Sequence, residues 1–97
     1  MRTPNLERKD VELSGVQRLY KFPNGYGASV IRHAYSYGGP EGKWELAVLV
    51  MRPERGEWDF DLTYDTPITS DVCGWLTERR VDKLLAQIEA LEPVGVA

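Results

Sequence analysis

The sequence contains very few of the residues that make disulfides, metal sites and nucleophilic centres. Its 97 residues include one cysteine, Cys73, and one histidine, His33. A single thiol cannot form an intrachain disulfide, whereas small secreted domains usually carry several disulfides. Residues 1–15 are rich in charged side chains and lack the apolar run of a signal peptide. We therefore expect a cytoplasmic protein.

Long hydrophobic runs are also absent. The longest apolar stretch, Leu46–Met51, is far shorter than the approximately 20 residues that a membrane-spanning helix needs. The net charge is −3, and lysine and arginine do not cluster among the aromatic residues. Proteins that contact nucleic acid directly usually present such a basic surface. We expect neither membrane association nor direct nucleic-acid binding.

The composition that remains is typical of one small globular domain. Hydrophobic residues make up 42% of the chain and charged residues 28%, close to the average for globular proteins. A chain of this length suits one domain with a modest core. We expect a single domain over residues 16–97, preceded by a flexible N-terminal arm at residues 1–15.

Four segments have the composition and alternation of β-strands, and turns rich in glycine and proline join them. The predicted strands are residues 16–22, 26–35, 44–51 and 58–64. Asn24 and Gly25 predict a tight hairpin between the first two strands. A bulge at Gly27 would then bring Tyr20 and Val30 to the same face.

The fourth predicted strand alternates between apolar and acidic residues, as a strand with one buried and one exposed face does. Matching its apolar face to that of the third strand sets the register between them. The predicted pairs are Val50 with Trp58, Val48 with Phe60, and Leu46 with Leu62.

The last element is predicted to be an amphipathic helix that Thr77 caps. Its apolar stripe recurs at helical spacing and consists of Val81, Leu84, Leu85, Ile88 and Leu91. This stripe would cover the sheet, or alternatively form a homodimer. We expect Trp75 to join the same core, beside Cys73. The predicted fold is α+β, an antiparallel four-stranded β-meander packed against one C-terminal amphipathic α-helix.

Acidic residues form the first candidate binding surface. They project from one side of the fourth predicted strand and are Glu57, Asp59, Asp61 and Asp65. They would hold a divalent cation, attract a basic partner, or simply form the polar face of a half-buried strand. Neighbours on one strand face lie roughly 7 Å apart, which disfavours shared ligation. We therefore expect no metal and no cofactor.

Aromatic residues near a glycine-rich turn form the second candidate surface, and they are Tyr26, His33, Tyr35 and Tyr37. They would form an exposed protein-binding tip, or pack over the open end of the sheet. The adjacent Gly38–Lys43 segment is no phosphate loop, because no serine or threonine follows Lys43 and a strand comes next. No spacing brings Cys73 and His33 together, so we predict that the protein is not an enzyme.

Three segments together resemble small hypothetical proteins carried by bacteriophages and prophages. These segments are Leu19–Val30, Trp44–Leu49 and Tyr64–Val72, and the resemblance spans about residues 16–92. It implies a phage-encoded accessory protein in the host cytoplasm, and it brings no catalytic or binding residues with it. We therefore predict a non-enzymatic interaction module that binds and modulates a host protein.

The alternative hypothesis is a protein that binds a small, nucleotide-type ligand. In that case the aromatic residues would stack on a base, and Arg18 or Arg32 would meet a phosphate.

Overall fold

The computed structural model describes residues 1–10, 15–68 and 72–95. It is an α+β structure in which one antiparallel sheet packs against one C-terminal helix, as the sequence predicts. The strands are β1 (Leu6–Asp10), β2 (Gly15–Lys21), β3 (Tyr26–Arg32), β4 (Trp44–Met51), β5 (Phe60–Leu62) and β6 (Cys73–Leu76), and the helix is α1 (Glu78–Glu89). A short 3-10 turn, Gly39–Glu41, lies in the β3–β4 connection.

The sequence predicts four strands, whereas the described residues form six. The two additional strands are β1 and β6. β1 lies within the segment assigned to the N-terminal arm and pairs antiparallel with β2, from Leu6 opposite Leu19 to Asp10 opposite Gly15. The sheet continues in the order β1-β2-β3-β4. β5 and β6 then share the far side of β4, since β5 pairs with its C-terminal half and β6 with its N-terminal half.

The β2–β3 hairpin turns through three residues rather than two. The N–H of Gly25 donates to the carbonyl of Phe22 at 3.1 Å, and the N–H of Phe22 donates to the carbonyl of Tyr26 at 2.9 Å. Pro23 suits the first inner position of this turn, and Gly25 takes the left-handed conformation at φ 89°. The additional residue that shifts the register of the hairpin is therefore Gly25, and not Gly27 as predicted. It brings Tyr20 opposite Ala28, so that the even-numbered residues share one face as predicted.

The predicted register between the third and fourth strands is wrong. In the structure Leu62 lies opposite Leu49 and Phe60 lies opposite Met51, so these apolar residues face away from the helix. The sequence did not decide between the faces because both faces of β4 are apolar: Leu49 is as fully buried as Leu46. Two successive turns in residues 52–59 also shorten the predicted strand to three residues.

The main core lies between the sheet and α1. Its buried residues come from β2, β3, β4, β6 and the helix, and they are Tyr20, Phe22, Ala28, Val30, Trp44, Leu46, Val48, Leu76, Val81, Leu84, Leu85 and Ile88. Leu91, the last member of the predicted stripe, is partly buried against them. Burial of each large aliphatic side chain contributes about 1.5–3 kcal/mol, so this layer is the chief source of stability.

The opposite face of the sheet is covered by long side chains rather than by the helix. Leu19 and Leu49 are fully buried there. Gln17 donates from Nε2 to Ser29 Oγ at 3.0 Å, and the Lys21 ammonium lies 4.4 Å from the centre of the Trp58 ring. Ser29 and Ala47, small residues of the same face, are also buried.

The C-terminal end of α1 is fixed to the β2–β3 hairpin by Asn24. Its amide nitrogen donates to the carbonyl oxygens of Ile88 at 2.9 Å, Glu89 at 3.2 Å and Leu91 at 3.1 Å. Its amide oxygen accepts the N–H of Tyr26 at 3.0 Å. One side chain thus binds carbonyl groups at the helix end and just beyond it, in addition to the N–H of Leu91 that the Ile88 carbonyl accepts at 3.1 Å, and it also holds the turn.

Residues at the start of the chain pack against the helix and β2. The N–H of Arg2 donates to Asp82 Oδ1 at 2.7 Å, and the Tyr20 hydroxyl donates to the carbonyl of Arg2 at 2.7 Å. Burial raises the pKa of the Tyr20 phenol, against the opposing effect of nearby Arg18.

Within the described residues, no helix is long and apolar enough to cross a membrane.

We expect Asn24→Asp to lower the free energy of unfolding by about 2–3 kcal/mol. Aspartate keeps the oxygen that accepts the Tyr26 N–H, but it loses the donor and turns a carboxylate toward the carbonyl oxygens of the helix end. Urea unfolding followed by circular dichroism measures the change.

The matched control is Asn5→Asp, because within the described residues the Asn5 side chain forms one hydrogen bond, in which its amide oxygen accepts the N–H of Lys21 at 3.0 Å. We expect this variant to stay within about 0.5 kcal/mol of the original protein. Equal effects of the two substitutions would show that Asn24 does not hold the helix end.

Candidate functional site

The predicted acidic residues do not lie along one strand. Asp61 belongs to β5, whereas Glu57 and Asp59 lie in the β4–β5 loop and Asp65 follows β5. All four residues are exposed. Across the part of the chain that the structure describes, no group of three or more potential metal ligands comes together.

Arginine and lysine side chains neutralise most of this acidic surface. Asp61 accepts hydrogen bonds from Arg52 at 2.9 Å and from Arg55 at 3.0 Å. Arg55 also lies 3.5 Å from Asp59, and Lys21 lies 4.0 Å from Glu57. The hydrogen bonds from Arg52 and Arg55 hold the pKa of the Asp61 carboxyl below its usual value. Exposed ion pairs of this kind add little to stability. They do offset much of the negative charge of these acidic residues, and so weaken the attraction of a basic partner.

The predicted aromatic cluster divides between the two ends of β3. Tyr26 begins this strand of seven residues and His33 follows its last residue. At roughly 3.3 Å per residue, they lie about 23 Å apart along the strand. The β3–β4 connection brings together His33, Tyr35 and Tyr37, and it leaves Tyr26 out.

Hydrogen bonds order the β3–β4 connection. Ser36 Oγ accepts the N–H of His33 at 2.9 Å and donates to the carbonyl of the same residue at 3.1 Å. His33 Nδ1 accepts the N–H of Tyr35 at 3.0 Å. This ring nitrogen therefore accepts a backbone hydrogen bond from within the same connection.

β6 lies directly against this connection. The N–H of Trp75 donates to the carbonyl of Tyr37 at 3.1 Å. Gly74 is the contact point, since a Cβ added to it would collide with Cβ of Tyr37. The absence of a side chain at residue 74 therefore allows Tyr37 to pack on the β6 backbone.

The pairing of β6 with β4 contains one extra residue on β6. Leu76 lies opposite Trp44 and Cys73 lies opposite Leu46, so three steps along β6 match two steps along β4. A bulge of this kind bends the strand and redirects a side chain. The bend falls at Trp75, the only non-glycine residue with a positive φ, 59°, in the described part of the chain.

The predicted burial of Trp75 is wrong because of this bulge. Leu76 is buried and Cys73 packs partly against the same core, yet the residue between Gly74 and Leu76 points to solvent. Trp75 is 61% exposed. The sequence contains one sign of this arrangement, Gly74, which interrupts an otherwise apolar segment.

Three exposed aromatic side chains result, and we call them the aromatic surface: Tyr35, Tyr37 and Trp75. They are 81%, 62% and 61% exposed, respectively. Tyrosine and tryptophan are enriched in protein interfaces, where their large rings bury much area at a small cost in side-chain entropy. A bulky residue in the left-handed region costs roughly 1–2 kcal/mol, which the hydrogen bonds and packing around it must offset.

The two arginines suggested for phosphate binding lie over the ring of Trp44. The guanidinium groups of Arg18 and Arg32 lie 5.1 Å and 4.4 Å from the centre of the Trp44 ring. Arg18 also forms an ion pair with Glu7 at 2.8 Å. Trp44 is only 1% exposed, so its ring is not open for a base to stack on.

Comparisons with models of known protein families, with curated proteins and with solved structures find no match. The geometry of the described residues therefore carries the functional argument.

We expect Trp75→Gly to leave stability unchanged or to raise it by up to about 1 kcal/mol, because glycine adopts a positive φ without strain. Trp75→Ala keeps the strained backbone and loses the packing of the ring, so we expect it to be about 1 kcal/mol less stable than the glycine variant. Urea unfolding of both variants measures the difference. An alanine variant as stable as the glycine variant would show that the backbone at this position is not strained.

Proposed function

We propose that this protein is a non-enzymatic interaction module whose aromatic surface binds another protein. The observation that carries the proposal is Trp75, a largely exposed tryptophan held in a left-handed backbone conformation. Strained residues of this kind occur preferentially at functional positions. Exposed aromatic patches are likewise common where a partner binds.

The core does not require this tryptophan. The residues on either side of the bulge, Cys73 and Leu76, already supply the contacts of β6 with the core. Both the strain at Trp75 and the exposure of its ring disfavour the free protein. A partner that covers the ring removes it from water and so offsets these costs.

The backbone that carries the aromatic surface is also held in place by hydrogen bonds within the chain. Ser36 fixes the start of the loop, and Tyr37 is held by the N–H of Trp75. An ordered surface loses less conformational entropy on binding, so more of the contact energy appears as affinity.

The other candidates from the sequence have weaker support. The acidic residues are largely paired with the chain's own cations, and of the two arginines offered for phosphate binding, Arg18 is already paired with Glu7. The resemblance to phage proteins implies that the partner is a host protein, and this identity remains a prediction.

The test is a comparative affinity capture from a lysate of the cells in which the protein naturally occurs. We expect the original protein to enrich a specific partner and Trp75→Gly to reduce its recovery at least about tenfold, as loss of a central aromatic contact does. The glycine variant is suited to this test because it is expected to fold as well as the original protein.

The matched control is Leu62→Ser, which removes a side chain that is 50% exposed from β5, on the C-terminal half of β4. We expect it to recover the partner normally. Equal recovery by the original protein and Trp75→Gly would contradict the proposal, as would the absence of any enriched protein.

A further inference from the structure

The aromatic surface is bordered by a lysine on the same connection. Gly38 lies between Lys43 and Trp75: a Cβ added to Gly38 would lie 2.8 Å from Cβ of Lys43 and 2.9 Å from Cα of Trp75. The backbone at Trp75 and the first carbon of the Lys43 side chain are therefore close neighbours. The Lys43 side chain therefore starts at the edge of the aromatic surface, from where its ammonium group can reach a partner bound there.

Further cations follow directly along the chain from Trp75. After Leu76 and the capping residue Thr77, the first two turns of α1 expose Arg79, Arg80 and Lys83. Together with Thr77, these residues line an open hollow of about 410 Å³. Trp75 and the basic hollow thus belong to consecutive elements, β6 and α1.

These four cations differ from five of the other eight basic residues, whereas Arg8, Lys9 and Arg32 likewise form no ion pair within the described residues. Arg2, Arg18, Lys21, Arg52 and Arg55 all form ion pairs with acidic side chains. Across residues 1–10, 15–68 and 72–95, no ion pair involves Lys43, Arg79, Arg80 or Lys83. Glu78 and Asp82 lie on the same helix but form no ion pair with them within the described residues, and Asp82 accepts the N–H of Arg2 instead.

We propose that the partner presents an acidic segment of polypeptide to this combined surface. The proposal rests on the proposed function and adds the chemistry of the partner. Apolar or aromatic side chains of the segment would cover Trp75 and Tyr37, while its carboxylates would pair with Lys43 and with the cations of the hollow. Complementary charges at a rim speed association and make it sensitive to salt.

The charge of the chain favours a protein segment over a nucleic acid. Four cations are too few to neutralise an extended phosphate backbone, and the net charge of −3 repels a polyanion at longer range. A short acidic segment places its charges only where the cations lie.

The test uses fluorescence anisotropy with three labelled probes. They are a short peptide that alternates glutamate with leucine and tryptophan, the same peptide with lysine in place of glutamate, and a short oligothymidylate. We expect the acidic peptide to bind at least about tenfold more tightly than the lysine peptide, and its affinity to fall as salt rises.

The decisive variant is Arg79→Glu/Arg80→Glu, for which we expect about tenfold weaker binding of the acidic peptide. Glutamate in the first turn of a helix favours folding, so weaker binding would not arise from a lost helix. The matched control is Arg8→Glu/Lys9→Glu on the exposed strand β1, for which we expect unchanged binding.

Equal binding of the acidic and lysine peptides would overturn the proposal, as would tighter binding of oligothymidylate or an unchanged affinity of the Arg79/Arg80 variant. Another outcome is that the acidic peptide fails to bind while Trp75→Gly still abolishes capture from lysate. In that case the proposal of an acidic partner segment is wrong, and the proposal that the aromatic surface binds a partner is retained. If capture does not depend on Trp75, the proposed function itself fails.

Discussion

The irregular pairing of β6 with β4 is the constraint on which the proposed binding surface depends. It lets Cys73 and Leu76, three residues apart, both reach the core. A regular strand, with its period of two, would place them on opposite faces. The extra residue turns Trp75 outward and leads the chain to Thr77, where the helix begins. This one bulge therefore determines that Trp75 is exposed, and it directs the chain toward the start of α1.

Two contacts far from this bulge keep the helix, and so the surface, in place. Asn24 binds the carbonyl oxygens at the C-terminal end of α1, and Asp82 in its second turn accepts the N–H of Arg2. Packing of the apolar stripe supplies most of the energy and already favours one arrangement of the helix on the sheet. The directional hydrogen bonds further hold the helix in that position, and with it the basic residues of its first two turns.

The parts of the fold that could be predicted from the sequence are those that a simple period determines. The bounds of β4 and the buried stripe of α1 follow directly from spacing. The register of β5 does not, because both faces of β4 are apolar and the alternation fits either. The exposure of Trp75 depends on a bulge formed with a strand about 30 residues earlier in the chain, and no local pattern encodes such a long-range irregularity. Of the candidate site, Tyr35 and Tyr37 were predictable and Trp75 was not.

Hydrogen exchange with and without the captured partner tests the central claim, that the bulge and the loop beside it form the contact surface. The account predicts slower exchange of backbone amides in residues 33–43 and 72–83 when the partner is bound, with little change in β1 or β5. Protection confined to the acidic loop at residues 52–61, or to the exposed strand β1, would contradict it.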